Sequence, residues 1–585
     1  MNITQKGKYI IAVTIALATV LVYLPSLRNG FVGVWDDNIN IVENLHIRSL
    51  DATFFRWAFL DFHGSNWLPL TWISLAVDYA FWGLNPLGYH LTNIILHVLN
   101  TLVVVFLVVK LLQAARERTT KPEFLAFLSD RVILFIGGVT GLLFGIHPVH
   151  VESVAWAAER KDVLCALFFL LSIIWYANYV SYKTYKTYML TLGLFVLALM
   201  SKPMAVSLPV VLLILDWYPL NRIPSWKTIW SLVVEKLPFF LMSLVSSMIT
   251  ILAQRSGDSI ASLDVVPVSS RLLVAARSLI AYLGKMLLPL NLVPFYPYPR
   301  QVVLFSFEYL AVLVLMLGIT ACALVAAKRH PVLLAAWGYY VVTLIPVLGI
   351  VQVGNQSMAD RYLYLPSIGP FLVGGIGIAW MAKKVTTAYR RETMRLLVYS
   401  LLALCLFFPL SLITIKQMGK WKNSFALWDY TIATGIESAV AYNNRGLSLK
   451  EMDQRGNAIA DFERAIALDP QNYFAYNNLG VVYGKDGQYP RSIEYFLKAI
   501  AINPQHADSY CNLGLSYFNM KQEDKALENY NKAIELKQDF DAAILNRGNL
   551  YFIIGNRARA LQDYRKACML GNSRACEVLT IANGE

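Results

Sequence analysis

Long apolar runs separated by short polar segments fill the first 415 residues of the chain. A helix that spans a membrane needs roughly 20 apolar residues, and all of its backbone groups must be bonded within it. We therefore predict an all-α fold that begins with a polytopic membrane bundle of about eleven spans. The predicted spans are 9–27, 88–112, 131–147, 163–180, 187–200, 203–218, 234–253, 304–327, 331–351, 363–381 and 396–415.

The remainder of the chain has a different pattern, which repeats every 34 residues. Gly446, Gly480, Gly514 and Gly548 mark the period, and an aromatic residue and an alanine follow each glycine at fixed distances. Thirty-four residues is the period of tetratricopeptide repeats, which stack pairs of helices into an α-solenoid. We predict a membrane domain over 1–420, a linker over 421–438, and four such repeats plus a C-terminal helix over 439–585.

Composition and charge agree with this division. Of the 585 residues 57% are hydrophobic and 15% charged, and the mean hydropathy of +0.48 is not that of a soluble globular enzyme. The region from Glu437 onward carries 17 of the 51 Lys and Arg and 18 of the 38 Asp and Glu, so the first 436 residues hold a net charge of +14. This excess lies in short loops, which indicates membrane orientation rather than nucleic-acid binding.

The positions of the basic loops predict the topology. By the positive-inside rule, five basic loops face the cytoplasm: 113–131 with Lys121, 182–186, 222–227, 328–330 and 383–395 with Arg390 and Arg391. The chain must cross the membrane an even number of times between the third and fourth of these loops. Segment 271–290 contains three cations and is predicted to lie at the interface without crossing. It follows that the repeats lie outside the cytoplasm, on the periplasmic or outer side of a bacterial inner membrane.

An acidic pair follows the first span. Asp36 and Asp37 stand in the sequence WDDN, about ten residues beyond the membrane exit. A carboxylate near the bilayer surface can take a proton from a hydroxyl that attacks a lipid-borne group. The same residues also suit an ordinary turn or helix cap.

A polar stripe runs along the second predicted span. His90, Asn93, His97 and Asn100 are spaced so that they share one face of a helix. Polar side chains inside a membrane face a cavity or the protein interior. For His97 and Asn100 we favour hydrogen bonding between helices over a role in a site.

The loop after the third span concentrates charge at the same predicted outer side. His147, His150 and Glu152 could ligate zinc, although Pro148 and the missing HExxH spacing argue against a metal. Recognition of a phosphate by Arg160 is the better interpretation.

Two further cations stand at outer corners of the predicted bundle. Lys202 lies in SKPM and Arg361 in DRYLYLPSIG. A cation at this level can stabilise the charge that grows on a departing phosphate. The alternative is that both side chains simply extend to the membrane interface.

Six ordered features together resemble a known family. WDDN, NPLGYHLTNIILHVLN, HPVHVESVAWAAERKDVL, SKPMAVSLPVVLLILDWYPL, DRYLYLPSIG and the repeat array are similar to those of the TMTC-type (transmembrane and tetratricopeptide repeat) O-mannosyltransferases and their bacterial relatives, which are GT-C membrane glycosyltransferases. The resemblance covers essentially the whole chain.

The resemblance implies a polyprenyl-phosphate sugar donor, a Ser or Thr acceptor on a protein, and inversion at the anomeric carbon. It places the acidic pair at Asp36 and Asp37, and a tyrosine-rich corner at Asp360, Arg361 and Tyr362. By loop position it also extends to His147, Glu152 and Lys202. The residues expected to bind the phosphate or sugar of the donor are therefore Lys202, Arg361, Tyr362, Arg160, His147, His150, Glu152 and His90. A monophosphate leaving group can be neutralised by cationic side chains, so no obligatory metal or other cofactor is expected. Two other classes of protein are alternatives: a non-enzymatic membrane-anchored scaffold for envelope or pilus proteins, and a transporter, which the absence of paired interrupted helices in the sequence disfavours.

Two features of the repeats complete the sequence-based expectations. Asn444, Asn478, Asn512 and Asn546 each precede the repeat glycine by two residues, and such a ladder of amides can bind an acceptor peptide backbone. Cys568 and Cys576 can form a disulfide if this end faces an oxidising compartment.

Overall fold

The computed structural model describes residues 3–118, 128–257, 260, 262, 265–299, 301–387 and 392–584. Lys121, Arg390 and Arg391 of the predicted cytoplasmic loops lie outside the described residues. The chain forms two compact units, Met1–Leu427 and Trp428–Glu585. The division falls inside segment 421–438, which contains a helix of its own, Ser424–Ala433.

The all-α fold class is confirmed, since both units are built from helices. Unit 1 contains α1 (Ile3–Tyr23), α2 (Ala52–Leu60), α3 (Pro69–Trp82), α4 (Pro86–Arg118), α5 (Asp130–Ile146), α6 (Val151–Ala155), α7 (Arg160–Tyr182), α8 (Tyr185–Ser201), α9 (Leu208–Trp217), α10 (Trp226–Glu235), α11 (Leu237–Ser256), α12 (Val268–Leu287), α13 (Phe307–Ala326), α14 (Pro331–Leu344), α15 (Ile368–Thr387) and α16 (Glu392–Met418), while α17 (Ser424–Ala433) straddles the division. Unit 2 continues with α18 (Ala439–Glu451), α19 (Arg455–Leu468), α20 (Tyr473–Lys485), α21 (Tyr489–Ile502), α22 (Ala507–Asn519), α23 (Glu523–Leu536), α24 (Asp541–Ile553), α25 (Arg557–Met569) and α26 (Ser573–Gly584).

Every predicted span coincides with a helix, but the helices differ in length. Among the described residues six helical stretches are long and apolar enough to cross a membrane, or seven if the pair formed by α5 and Pro148–Ala155, bent by 50°, counts as one. The six are Gly7–Arg28, Pro86–Arg118, Ala157–Tyr182, Leu237–Ser256, Phe307–Ala326 and Ile368–Val385. Three further apolar helices are shorter, and α12 is not in either group. The chain is therefore a membrane protein, while the number of eleven crossings stays a prediction.

Small residues bring the first helices of unit 1 into close contact. Gly137, Gly141 and Gly145 of α5 recur every fourth residue, so they lie on one face. A Cβ atom at Gly141 would lie 2.2 Å from the side chain of Val105 in α4, and one at Gly145 would lie 2.5 Å from Thr19 in α1. Such small-residue faces let membrane helices approach closely.

A short antiparallel pair of strands supports the corner that carries Arg361. β1 (Tyr296–Pro297) pairs with β2 (Gln356–Met358), and a 3₁₀ turn, Asp360–Leu363, follows β2 at once. A second 3₁₀ turn, Ala157–Glu159, leads directly into α7.

Unit 2 has the repeat architecture that the 34-residue period predicts. Helices α18 to α25 form four pairs, and α26 follows them. A Cβ atom at Gly480 would lie 2.6 Å from the ring of Phe496, and the other three repeat glycines have the same relation to their aromatic partners. Cys568 and Cys576 are joined by a disulfide.

Candidate functional site

The two adjacent aspartates have different surroundings. Asp37 is fully buried, and its two carboxylate oxygens accept hydrogen bonds from the backbone N–H of Val32 at 2.7 Å and of Ala158 at 2.8 Å. Burial raises the pKa of Asp37 to about 7, although the two N–H groups oppose this shift. Asp37 thus fastens the loop after α1 to the turn before α7.

The carboxylate of Asp36 instead faces a group of charged side chains. Its side chain is 35% exposed, and its Oδ2 lies 3.5 Å from the Nζ of Lys161. Within the acidic pair, Asp36 is therefore the carboxylate that a substrate can reach.

Three cations converge beside Asp36, and we call them the three-cation cluster: Lys161, Lys202 and Arg361. They come from the start of α7, from the corner after α8 and from the turn after β2. All three contact the buried carboxylate of Glu159, with N–O distances of 3.0 Å from Lys161 and 3.4 Å from each of the other two. The structure thus brings together Lys202 and Arg361, two of the cations expected near the phosphate, and their role there stays a prediction.

Each cation of the cluster has a second carboxylate of its own. Lys161 contacts Asp36, Lys202 pairs with Asp162, and Arg361 pairs with Glu152. Glu152 also accepts the backbone N–H of Arg361 at 2.9 Å, so it orients that residue twice. Burial alone would lower the pKa of Lys202, but the carboxylates of Asp162 and Glu159 raise it above its ordinary value.

Aromatic rings form the walls of the cluster. The guanidinium of Arg361 lies 5.0 Å from the ring centre of Tyr362 and 5.6 Å from that of Trp156. Lys161 lies 5.9 Å from Trp156, and Lys202 lies 5.8 Å from Tyr362. Cation–π contacts of this kind hold the charges in place within a partly apolar boundary.

Arg160 is not part of the cluster, although it stands between Glu159 and Lys161 in the sequence. It is fully buried and donates to Asp78 at 2.6 Å, to the carbonyl of Tyr89 at 2.9 Å and to Ser74 at 2.8 Å, and it also contacts Asn93. Its guanidinium therefore ties α7 to α3 and α4, and the structure does not bring it to the phosphate role expected from the sequence.

The histidines expected near the site are buried and structural in their contacts. His147 bonds the carbonyl of Met286 at 2.9 Å, and His150 bonds the carbonyl of Phe144 at 2.7 Å and the hydroxyl of Ser367 at 3.0 Å. His90 is buried next to the backbone of Asn29 and Gly30. Among the described residues no three His, Cys, Asp or Glu side chains are grouped so that they could hold a metal ion.

The polar stripe of α4 bonds to neighbouring elements. His97 Nδ1 lies 2.7 Å from the hydroxyl of Tyr364, and Asn100 donates to that hydroxyl at 3.1 Å and to the carbonyl of Val163 at 2.7 Å. Asn93 donates to the carbonyl of Trp156 at 3.0 Å. For His97 and Asn100 these contacts are of the kind expected for hydrogen bonding between helices, and they hold Tyr364, which follows the turn with Arg361.

The asparagine ladder of the repeats makes contacts between successive repeats. The amide of Asn478 donates to Asn443 at 2.9 Å, and that of Asn512 donates to Asn477 at 3.2 Å. Asn546 contacts the sulfur of Cys511 at 3.6 Å, and Asn444 accepts from its neighbour Asn443 at 3.1 Å. These bonds use amide groups that we expected to bind a peptide, and the peptide role stays a prediction.

Lys161 and Glu159 are central to the cluster, and reasoning from the sequence did not assign them a role. The available signal was the run Glu159, Arg160, Lys161 and Asp162 at a membrane boundary. Four consecutive charges there need partners, but the sequence does not say which of them face the same partner.

Comparisons with known proteins match the repeats of unit 2 to models of tetratricopeptide repeats. A family model described as "Tetratricopeptide repeat" matches residues 471–539, and one described as "TPR repeat" matches residues 446–487. A solved structure of MamA has 26% identity and a TM-score of 0.23, covering 26% of this chain and 88% of that one.

The curated relatives carry one functional name. Protein O-mannosyl-transferase TMTC1 of Mus musculus is 36% identical over 28% of this chain, Tmtc1 of Drosophila melanogaster 33% over 33%, and TMTC4 of Homo sapiens 35% over 25%. The alignments span only 16%, 21% and 20% of these relatives' own lengths. The comparisons thus confirm, over the aligned part of the chain, the resemblance to TMTC-type protein O-mannosyl-transferases.

Proposed function

We propose that this protein is a membrane glycosyltransferase that moves a sugar, a hexose such as mannose, from a polyprenyl-phosphate donor to a Ser or Thr hydroxyl of a protein. The observation that carries the proposal is the accessible carboxylate of Asp36 beside the three-cation cluster, at one end of a set of apolar helices. The names of the three relatives given above, each a protein O-mannosyl-transferase, support it.

The cluster is suited to the phosphate of the donor. Lys202 and Arg361 can donate charge-assisted hydrogen bonds to phosphate oxygens, and Tyr362 lies against both cations. As the bond between C1 of the sugar and the phosphate oxygen breaks, the leaving group takes the electron pair and gains negative charge. Fixed cations stabilise that charge in the transition state more than in the ground state. The proposed reaction uses these side chains and no obligatory metal.

Asp36 supplies the general base. The acceptor hydroxyl attacks C1 from the face opposite the phosphate, and Asp36 takes its proton as the new C–O bond forms. Attack opposite the leaving group inverts the configuration at C1. Asp37, with both oxygens engaged by backbone N–H groups, fixes the loop that presents Asp36.

The repeats of unit 2 would bind the protein acceptor, because a tetratricopeptide solenoid offers an extended surface for peptide. In this proposal the protein lies in the inner membrane of a bacterium, with the repeats on the periplasmic side. The positive charge of the loops in unit 1 supports that orientation.

The proposal is tested by mass spectrometry of cell-surface proteins from cells that express the wild type, the Asp36→Asn variant or no protein. We expect sugar on Ser or Thr of surface proteins in the wild type alone. Asp61→Asn is the matched control, because Asp61 is an exposed carboxylate in the same stretch between α1 and α4. Sugar at wild-type levels in Asp36→Asn cells would remove Asp36 from the mechanism, and the same sugar in cells without the protein would favour a non-enzymatic scaffold.

A further inference from the structure

Lys161 occupies a position that the proposed mechanism has not used. Its Nζ lies between two carboxylates, 3.5 Å from Asp36 and 3.0 Å from Glu159. It therefore contacts both the proposed base and the centre of the proposed phosphate site.

The second carboxylates of the cluster are not equivalent. Asp162 and Glu152, which hold Lys202 and Arg361, are each only 3% exposed, whereas Asp36 is 35% exposed. An ion pair near water is weaker than a buried one, because water and salt screen it. The contact between Lys161 and Asp36 is also the longest of the three. Within the cluster, Lys161 is thus the cation that changes partner most easily.

The charge of Glu159 gives a reason for Lys161 to move toward a bound phosphate. Its side chain is 1% exposed and is the common partner of all three cations. A phosphate that enters the cluster adds a negative charge beside Glu159, and the two anions repel each other unless a further cation turns toward them. Lys161 can do so by giving up Asp36.

We propose that Lys161 couples the two halves of the site: its ammonium binds Asp36 while the site is empty and turns to the phosphate headgroup when a donor is bound, which frees Asp36 to accept a proton. This inference rests on the proposed function for its chemistry. Its physical core is that Asp36 and a phosphate monoester compete for one ammonium group.

The competition has a consequence that does not depend on sugar transfer. Removal of the Asp36 charge should strengthen phosphate binding, because Lys161 is then available without loss of a partner. The gain should vanish when Lys161 is removed as well. It should persist when Lys202 is removed, since Lys202 contacts Glu159 and Asp162 but not Asp36.

The test is a double-mutant cycle on the full chain in detergent, with the affinity for dodecyl phosphate as the readout. We expect Asp36→Asn to bind this probe about two to five times more tightly than the wild type, the range set by one partly exposed ion pair of up to about 1 kcal/mol. In the Lys161→Met background the same substitution should change affinity less than about twofold. In the background that combines Lys202→Met with Asp162→Asn, which keeps Asp162 from being left as an unpaired charge, the gain should remain. If Lys161→Met does not fold, as judged by its thermal midpoint, Lys161→Gln takes its place.

Two further probes identify the source of the phosphate. Dodecanol reports binding of the alkyl chain alone, and inorganic phosphate reports the headgroup alone. If the gain in affinity that depends on Lys161 is seen with dodecyl phosphate but not with inorganic phosphate, the site binds a lipid headgroup. If the gain is equal with both probes, the site binds free phosphate.

Several outcomes would overturn the coupling. They are no tighter binding in Asp36→Asn, an equal gain with and without Lys161, and no binding of either phosphate probe to the wild type. Loss of the proposed function has a different signature, namely an intact cycle in a protein that transfers no sugar.

Discussion

At the scale of single residues, the most direct expectation separates the two adjacent aspartates. Asp36→Asn should fold normally and lose sugar transfer by about 10²–10⁴-fold, the usual effect of removing a general base. Asp37→Asn should lower the folded fraction, because an amide cannot accept both N–H groups and a buried donor left unsatisfied costs about 1–3 kcal/mol. The thermal midpoint and the rate of sugar transfer of each variant distinguish a catalytic aspartate from a structural one. If Asp37→Asn folds well but is inactive, Asp37 would be the general base and Asp36 would not.

The second residue-scale prediction concerns Lys202. Lys202→Met leaves the buried carboxylate of Asp162 without its cation, so the single variant should be destabilised by about 3–5 kcal/mol. The double variant Lys202→Met with Asp162→Asn should recover stability. It should still need about tenfold or more lipid-linked sugar for half-maximal rate, since a hydrogen bond to a charged group contributes about 1.5–3 kcal/mol.

The measurement is the apparent KM for each substrate of the double variant. The value for the protein acceptor should change less than about twofold. A double variant that folds and has an unchanged donor KM would return Lys202 to an ordinary interfacial lysine.

The residue scale also shows where reasoning from the sequence reaches its limit. Asp36, Lys202 and Arg361 could be predicted to meet, because each stands at a polar corner on the same predicted side of the membrane. Arg160 and Lys161 could not be told apart. Neighbouring residues on a helix differ in direction by about 100°, and the sequence does not say which direction faces the cluster. The contacts of Arg160 with Asp78 and Tyr89 required α3 and α4 to be placed first.

At the scale of elements, the 34-residue period predicted the packing within each repeat. The glycine of one helix meets the aromatic ring of the next at every repeat, as the spacing indicated. The close packing of α5 against α1 and α4 was not predicted, although the sequence contains its signal in Gly137, Gly141 and Gly145. A small-residue face indicates that some helix approaches, but not which one.

The repeat glycines give a third prediction. In Gly480→Ala the new Cβ would lie 2.6 Å from the ring of Phe496, so the ring or the helices must shift. We expect a loss of about 1–3 kcal/mol, as for other overpacked cores. Gly456→Ala is the matched control, because no described atom outside its own helix lies within 4 Å of the added Cβ, and helix propensity should make it neutral or slightly stabilising. Thermal unfolding of the full chain compares the two, and equal midpoints would contradict close packing at Gly480.

A fourth prediction addresses the asparagine ladder. Replacing Asn478 and Asn512 by Ala removes two hydrogen bonds between repeats, each contributing about 0.5–1.5 kcal/mol. If the ladder also holds an acceptor backbone, glycosylation of protein acceptors should fall while transfer to a short synthetic peptide stays near normal.

Asn519→Ala is the control for this variant, since Asn519 is exposed and bonds within its own helix to the carbonyl of Leu515. Equal loss with both acceptor types would indicate a folding defect in the repeats. Full activity with both would leave the ladder as a contact between repeats only.

At the scale of the whole molecule, hydropathy and period alone predicted a membrane part followed by a repeat part. Hydropathy alone does not determine the number of membrane crossings as it does the division into these two parts. Several helices, such as α8 and α14, are shorter than a bilayer requires on its own. A helix of that length crosses or stops according to its neighbours and flanking charges, which a scan of single segments does not include.

The side of the membrane on which the repeats lie gives the last prediction. Segment 271–290 corresponds to α12, whose cations bond to nearby groups: Arg277 pairs with Glu308, and Lys285 donates to the carbonyls of Leu290 and Asn291 at 2.9 Å. If α12 does not cross, parity places the repeats outside the cytoplasm, where the disulfide between Cys568 and Cys576 is also stable. Alkaline phosphatase fused after Glu437 in a bacterium should therefore be active, and fusions after Lys186 and Arg329, in predicted cytoplasmic loops, should be inactive. An inactive fusion at Glu437 would contradict this topology. Because Arg361, which follows α12, meets Lys161 and Lys202 at Glu159, the error in parity would then have to lie after Arg361 and not at α12.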